Sequence, residues 1–184
     1  MKAALPQSLN IPAVQTLAVA GVPDVIEFAR RLGISTLDDG RLYGLALVLG
    51  GAEVRPVDMA SAFSVFASEG IRRPYRLVLS VENAGGSFRE VSSVEESRVL
   101  SPDVARRINT ILSDDSLRAP IFGARGPLAF PKGEVAAKTG TTQDFRDAWT
   151  VGYTSSLAVA VWAGNNDNRP MRYGACLLYT SRCV

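Results

Sequence analysis

Helical patterns come first along this chain and short β-rich runs come last, an order that implies an α+β domain. Asn10 stands before Ile11-Pro12, and Asn suits a helix N-cap while Pro suits the first turn, so the sequence predicts a helix from Pro12 toward Ala20 with Ser8-Leu9-Asn10 at its entrance. Pro23 opens a second helix carrying Val25, Ile26, Phe28, Ala29 and Leu32, with Arg30-Arg31 in its last turn and Gly33 at its close. A third, buried helix is expected over Pro56 to Ser68, where Met59, Ala60, Phe63, Val65, Phe66 and Ala67 recur at near-helical spacing. Ser101-Pro102-Asp103 reads as the start of a fourth, continuing through Ala105, Ile108, Ile111 and Leu112.

Between the third and fourth helices, Tyr75 to Val81 and Ser87 to Val91 flank the turn residues Asn83-Ala84-Gly85-Gly86 and predict a β-hairpin. Asp114 to Gly133 holds three prolines and three glycines and reads as a long loop. Glu134 to Thr139, Trp149 to Tyr153 and Leu157 to Trp162 then read as adjacent antiparallel strands.

With 184 residues, 47% of them hydrophobic and 21% charged, the chain has the size and composition of one domain with a core. Its net charge of +2 is spread over 20 basic and 18 acidic residues without a polybasic block, which disfavours a nucleic-acid partner. Histidine is absent, so neither a Ser-His-Asp triad nor a histidine-built zinc site can form within this chain. Proton transfer must use Lys, Asp or Glu, and neither metal nor cofactor is expected. No apolar stretch reaches the roughly 18 residues that a membrane-spanning helix needs, and Met1-Lys2 does not lead into the apolar run of a signal peptide.

The most telling chemistry lies in Lys138-Thr139-Gly140-Thr141, set behind the apolar run Val135-Ala136-Ala137. A basic strand edge of this kind can receive a peptide ending in a carboxylate. Gly140 lacks a Cβ, so a ligand backbone can lie against the strand and pair with it. The same segment brushes against the phosphate-binding pattern G-x-x-x-x-G-K-[ST], but Lys132 and Ala137 occupy both required glycine positions, and nucleotide binding is rejected. Taken singly, each feature has a plain reading: Lys138 as a solvated strand end, Gly140 as a turn residue, Ser8 and Asn10 as helix caps. Asp144, Arg146 and Asp147 read as a charge cluster bracing the loop after the strand, and Trp149 and Trp162 as sheet packing.

In order along the chain, Gln7-Ser8-Leu9-Asn10-Ile11-Pro12-Ala13-Val14, Leu49-Gly50-Gly51-Ala52-Glu53-Val54, Arg98-Val99-Leu100-Ser101-Pro102 and Ala137-Lys138-Thr139-Gly140-Thr141-Thr142 form a series of blocks. Phe145-Arg146-Asp147-Ala148-Trp149 and Val161-Trp162-Ala163-Gly164-Asn165-Asn166-Asp167 continue it. With them the chain resembles the transpeptidase domain of penicillin-binding proteins, especially the bifunctional class A type that also carries a glycosyltransferase domain. That resemblance implies part of a serine β-lactamase/transpeptidase-like fold, with a helical portion and an antiparallel sheet carrying the Lys138-Thr139-Gly140 strand. It also implies peptidoglycan D,D-transpeptidase chemistry through a serine acyl-enzyme on stem peptides ending in D-Ala-D-Ala, with β-lactams as further ligands. By resemblance Ser8 shuttles a proton, Asn10 orients substrate, and Lys138 supplies positive charge for the substrate carboxylate. Thr139 and Thr141 offer it hydroxyls, and the Thr141 backbone N–H is an oxyanion-hole donor.

One departure limits this reading: no serine here is followed three positions later by lysine, so the S-x-x-K block that carries the family's nucleophile and its lysine is absent. Residues 1-175 are therefore expected to be a partial transpeptidase domain that does not acylate by itself, with nucleophile, glycosyltransferase and membrane anchor upstream. The resemblance implies a protein at the cell inner membrane with this domain in the periplasm or another extracytoplasmic space. Two rival functions stay open: a D,D-carboxypeptidase or β-lactamase-like hydrolase, in which water replaces the acceptor amine, and a non-catalytic module that binds β-lactams or peptidoglycan.

Cys176 to Val184 holds both cysteines and shows no continuity with the preceding sequence. Back-translated as TGT CTC TTA TAC ACA TCT AGA TGT GTA followed by TAA, it reads as a transposase mosaic end joined to its own reverse complement. Residues 176-184 are thus expected to be translated sequencing adapter. The other reading is a natural tail whose cysteines pair or bind metal.

Overall fold

The computed structural model describes residues 2–37, 43–90, 95–124, 126–130, 134–142 and 145–171. Helices α1 (Asn10–Ala20) and α2 (Val22–Leu32) meet at Gly21 with a 96° bend, and neither alone is long and apolar enough to cross a membrane. Pro23 and Asp24 open α2 while Arg30 and Arg31 end it, which matches both the backbone constraints and the dipole of a helix. Its buried Ile26 packs with Ile34, Leu37 and Ala62 in a first apolar cluster, joined by Ala29, Leu47 and Val54.

Helix α3 (Pro56–Ala67) is the shared wall of the molecule. Ala62 faces the first cluster, whereas Phe63 and Phe66 pack on a second one built from Leu112, Ala136 and Tyr153. A helix with apolar residues on two sides must be covered on both, which explains why α3 is the most central element. Its buried Asp58 is satisfied by Ser35, whose backbone N–H and hydroxyl donate to Oδ2 at 3.0 and 2.6 Å.

The second cluster rests on a three-stranded antiparallel sheet in the order β5 (Ala136–Thr141), β6 (Asp147–Tyr153), β7 (Ala158–Gly164). Helix α4 (Pro102–Leu112) contributes Ile108 and Leu112 to it. Tyr153 packs edge-on against Phe63 with ring centroids 6.0 Å apart, and its hydroxyl donates to Asn109 Oδ1 at 2.8 Å. Asn109 Nδ2 in turn donates to Phe66 O at 3.0 Å, so α3, α4 and the sheet are tied by one polar thread inside an apolar layer.

Helix bundle first and antiparallel sheet last is the α+β order expected from the sequence, with differences at the edges. Asn10 is the first helical residue, Leu9 holds the cap position, and no side chain caps α1. Ser101 does occupy the cap position of α4 but makes no capping bond. The hairpin is confined to β2 (Ser80–Glu82) and β3 (Phe88–Glu90), with Asn83 Oδ1 accepting from the Gly85 and Ser87 N–H groups across the turn; Val91 lies outside the described residues. A further short pair, β1 (Ile71–Arg72) with β4 (Ser97–Arg98), had no pattern of its own in the sequence.

The segment expected to be one long loop contains α5 (Asp115–Phe122), with Pro120 inside it. Asp114 caps this helix through the Ser116 N–H at 3.0 Å, and Arg118, 4% exposed, nails it to its surroundings. Tertiary bonds to Arg118 offset what Pro120 costs the helix. Arg125 and residues 131–133 lie outside the described residues, as do Cys176 and Cys183.

Candidate active site

A turn over residues 2–8 delivers Ser8, and strand β5 delivers Lys138. Ser8 N–H donates to Leu5 O and Leu9 N–H to Ala4 O, each at 3.1 Å, which forces Ser8 into the left-handed region at φ 57°. A non-glycine residue held there stores strain of a kind that clusters at functional sites. Lys138 Nζ donates to Ser8 Oγ at 2.8 Å and to Thr139 O at 2.5 Å. Burial pushes the Lys138 ammonium down to about 8, because desolvation disfavours the charged form.

Hydrogen bonding fixes which way β5 presents its backbone. Thr142 N–H donates to Asp147 O at 3.2 Å, and the register pairs Gly140 with Trp149, Lys138 with Val151 and Ala136 with Tyr153. In an antiparallel ladder these alternate residues turn both backbone groups toward the partner strand. Ala137, Thr139 and Thr141 therefore aim theirs at the opposite edge, with which no strand among the described residues pairs.

Side chains alternate as well. Lys138 and Gly140 share the face of Ala136, which packs toward α3 and α4, whereas Thr139 and Thr141 lie on the other face. Thr139 is buried at 5% exposure and Thr141 is half-buried. The sequence grouped Lys138, Thr139 and Thr141 around one carboxylate; the pleat separates their side chains, so the strand edge is their meeting place. Asn10, at the first position of α1, is exposed. A Cβ built on Gly140 would lie 3.7 Å from Trp149 Cβ, an ordinary contact, and Gly140 has no positive φ. Nothing in the fold requires glycine there.

The turn after β5 is held by a latch. Thr142 Oγ1 donates to Asp147 Oδ1 at 2.8 Å and accepts from Asp147 N–H at 3.0 Å, while Trp162 Nε1 donates to Asp147 Oδ2 at 3.1 Å. Arg146 Nη1 donates to Asn168 O at 2.7 Å. Asp147 and Arg146 thus brace this turn as the sequence suggested, and Asp144 lies outside the described residues. Trp149 and Trp162 stand opposite each other in the β6–β7 register. Arg118 is the site neighbour that the sequence did not reveal; an Arg three positions after an Asp, within a Pro- and Gly-rich stretch, was the one available signal. Surface basins lined by Asp103, Arg106 and Thr110, and by Ser35, Tyr43 and Glu53, lie among residues other than these.

The site thus consists of an apolar-backed strand edge, a half-buried lysine whose ammonium burial has lowered, and a serine of positive φ bonded to it. The model of the penicillin binding protein transpeptidase domain matches residues 2–176, and the chain belongs to that family. Penicillin-binding protein 2a of Streptococcus pneumoniae is 30% identical over 171 residues, covering 89% of this chain and 23% of that protein. Penicillin-binding protein 1C of Escherichia coli is 31% identical over 172 residues, covering 93% of this chain and 20% of the relative. The chain thus spans about a fifth of the length of these curated relatives. Among solved structures, the PonA1 protein of Mycobacterium tuberculosis in complex with penicillin V matches with a TM-score of 0.71 at 30% identity, over 93% of this chain and 49% of the other. Penicillin-binding protein 1A of Haemophilus influenzae matches in fold with a TM-score of 0.76 at 23% identity, over 94% of this chain and 31% of that one. The α+β fold expected from the sequence, with the Lys138 strand in its antiparallel sheet, is the fold of these penicillin-binding proteins.

Proposed function

We propose that the protein carrying this chain is a peptidoglycan D,D-transpeptidase that works through a serine acyl-enzyme and also binds β-lactams. The hydrogen bond between Lys138 and Ser8 at the outward edge of β5 carries this reading. A serine supplied by an S-x-x-K block outside these residues attacks the carbonyl carbon of the penultimate D-alanine. The peptide C–N bond breaks and D-alanine leaves with a proton; an acceptor amine of a neighbouring strand then attacks the ester, forms the cross-link and returns the serine hydroxyl.

Lys138 and Ser8 serve both charge and proton flow in this scheme. The cation attracts the terminal carboxylate through a charge-assisted hydrogen bond in a partly desolvated place. Ser8 relays the proton from the attacking hydroxyl to the departing nitrogen, and Asn10 orients the peptide beside it. The Thr141 N–H faces the developing oxyanion, a contact type worth about 10²–10³ in rate, while the hydroxyls of Thr139 and Thr141 hold the carboxylate end at the edge. A peptide bound this way runs antiparallel to β5, with its C-terminus toward Lys138. The similarity to class A proteins supports a bifunctional protein with a glycosyltransferase domain, anchored in the inner membrane and acting outside it.

The test is turnover of a stem pentapeptide by the protein containing this chain and its nucleophilic serine, with and without an acceptor amine. Cross-linked product that depends on the acceptor is expected. Release of D-alanine without cross-linking assigns a carboxypeptidase instead, and failure of a fluorescent penicillin to label the protein sinks the acyl-enzyme reading.

A further inference from the structure

Arg118 is placed where the outward edge of β5 stops being usable. Its guanidinium donates through Nη1 to Leu112 O at 2.5 Å and to Ala137 O at 3.2 Å, and through Nη2 to Leu128 O at 3.1 Å and to the Asp115 carboxylate. The other Asp115 oxygen accepts the Phe130 N–H at 3.1 Å. One buried fork therefore joins the end of α4, the start of β5 and the 128–130 segment, and Leu128 is itself buried. Ala137 O is the first of the outward-facing β5 carbonyls, as the phase of the ladder shows. The next, Thr139 O, accepts from Lys138 Nζ.

We propose that Arg118 is a specificity-determining positioning residue that closes the β5 edge at Ala137, so that a peptide added along Thr139 and Thr141 must end at its carboxylate beside Lys138. This rests on the transpeptidase reading, which sets the direction of the bound peptide. An extended ligand gains affinity by pairing backbone groups with a strand edge, rung by rung. One donor on a carbonyl leaves its second lone pair free, as at Thr139 O, but at Ala137 the guanidinium also holds the 128–130 segment beside the strand, and it is this segment that makes the next rung unavailable. A residue added beyond the terminal D-alanine finds no partner for its backbone and meets protein instead. Discrimination against such peptides then comes from a closed edge as well as from attraction of the carboxylate to Lys138, and leaving a ligand's polar groups unpaired is an effective way to reject it.

The experiment uses the protein containing this chain together with its nucleophilic serine. Acetyl-Lys-D-Ala-D-Ala, and the same peptide lengthened by one C-terminal glycine, each compete against labelling by a fluorescent penicillin. With the natural sequence the lengthened peptide is expected to compete at least ~30-fold more weakly. Arg118→Lys keeps a cation but loses the planar fork that reaches several acceptors, and the gap is expected to shrink to a few-fold while the variant still unfolds cooperatively. Asp115→Asn, which loosens Arg118 without removing it, is expected to shift the same ratio in the same direction. A structural role alone would lower stability and labelling of both peptides' target alike and leave the ratio unmoved. Equal competition by the two peptides with the natural protein, or a folded variant of either kind that keeps the full gap, overturns the proposal while penicillin labelling leaves the transpeptidase reading standing. No labelling at all overturns both.

Discussion

Lys138 Nζ donates a 2.8 Å hydrogen bond to Ser8 Oγ, joining two residues 130 positions apart in the sequence. The contact closes the span between the entrance of α1 and the outward edge of β5, and it couples a hydroxyl to an amine whose proton affinity burial has lowered. Removing the hydroxyl by Ser8→Ala is expected to cut penicillin acylation of the complete enzyme by about 10² or more. Stability should change by less than ~0.5 kcal/mol, since Ser8 is exposed. Stopped-flow acylation together with a thermal melt separates the two effects, and an unchanged acylation rate removes Ser8 from the proton path.

The Lys138 proton also sets a pH dependence with a definite sign. Its affinity falls from the ordinary 10.5 to about 8 in the folded protein, so between those values the unfolded chain binds a proton that the folded one has released. Stability from this group therefore rises as pH climbs from about 8 to 10.5. Reactivity toward carboxylate-bearing ligands goes the other way: kcat/KM should fall above about 8 as the cation that attracts the carboxylate is lost, while a carboxamide analogue shows no such fall. Identical profiles for the two ligands would remove Lys138 from carboxylate recognition.

Two glycines give opposite expectations from the same substitution. Gly70 has φ +89°, and a Cβ there would lie 2.2 Å from Leu100 O, so Gly70→Ala should destabilise the fold by more than ~2 kcal/mol. Gly140→Ala meets only an ordinary contact and should melt within a few degrees of the natural protein, yet lose stem-peptide turnover by ~10-fold or more because the new methyl stands on the ligand-facing strand. Equal losses of stability in the two variants would contradict this division.

Asp147 holds the β5–β6 turn through Thr142 and Trp162, and Asp147→Ala removes the carboxylate acceptor of the Trp162 indole N–H and leaves the Thr142 hydroxyl only the longer 3.4 Å contact to residue 147's backbone carbonyl. A cost of about 1–2 kcal/mol is expected from these lost bonds. Faster amide exchange should appear at Thr142, whose N–H donates to Asp147 O across the turn, ahead of the rest of the sheet. Uniform acceleration across β5 to β7 would mean that the latch is not local.

Apolar spacing bounded by Pro or Gly made the helices of 22–32, 56–67 and 102–112 and the three C-terminal strands legible, and Pro12 in its first turn made the helix of 10–20 legible, although Asn10 is not its cap. Helix α5 was not legible, since Pro120 and the surrounding glycines argue for a loop and the bonds that hold it run to Leu112, Ala137 and Leu128. In the site, residue types and order marked Ser8, Asn10 and the Lys138-to-Thr141 strand as candidates. Which of them share a face was not marked, and the burial of Thr139 became visible only in the assembled sheet.

By itself the sequence determined four of the helices, the C-terminal strands, the α+β order and the residues eligible for acyl-transfer chemistry, since these depend on short-range periodicity, Pro and Gly placement and the chemistry of side chains. Only the tertiary structure decided that Ser8 meets Lys138, that β5 turns the backbone groups of Thr139 and Thr141 outward along an edge, and that Arg118 bonds the Ala137 carbonyl at the start of that edge. Those relations depend on strand phase and on contacts between residues far apart in the chain, and neither is encoded in any local run of residues.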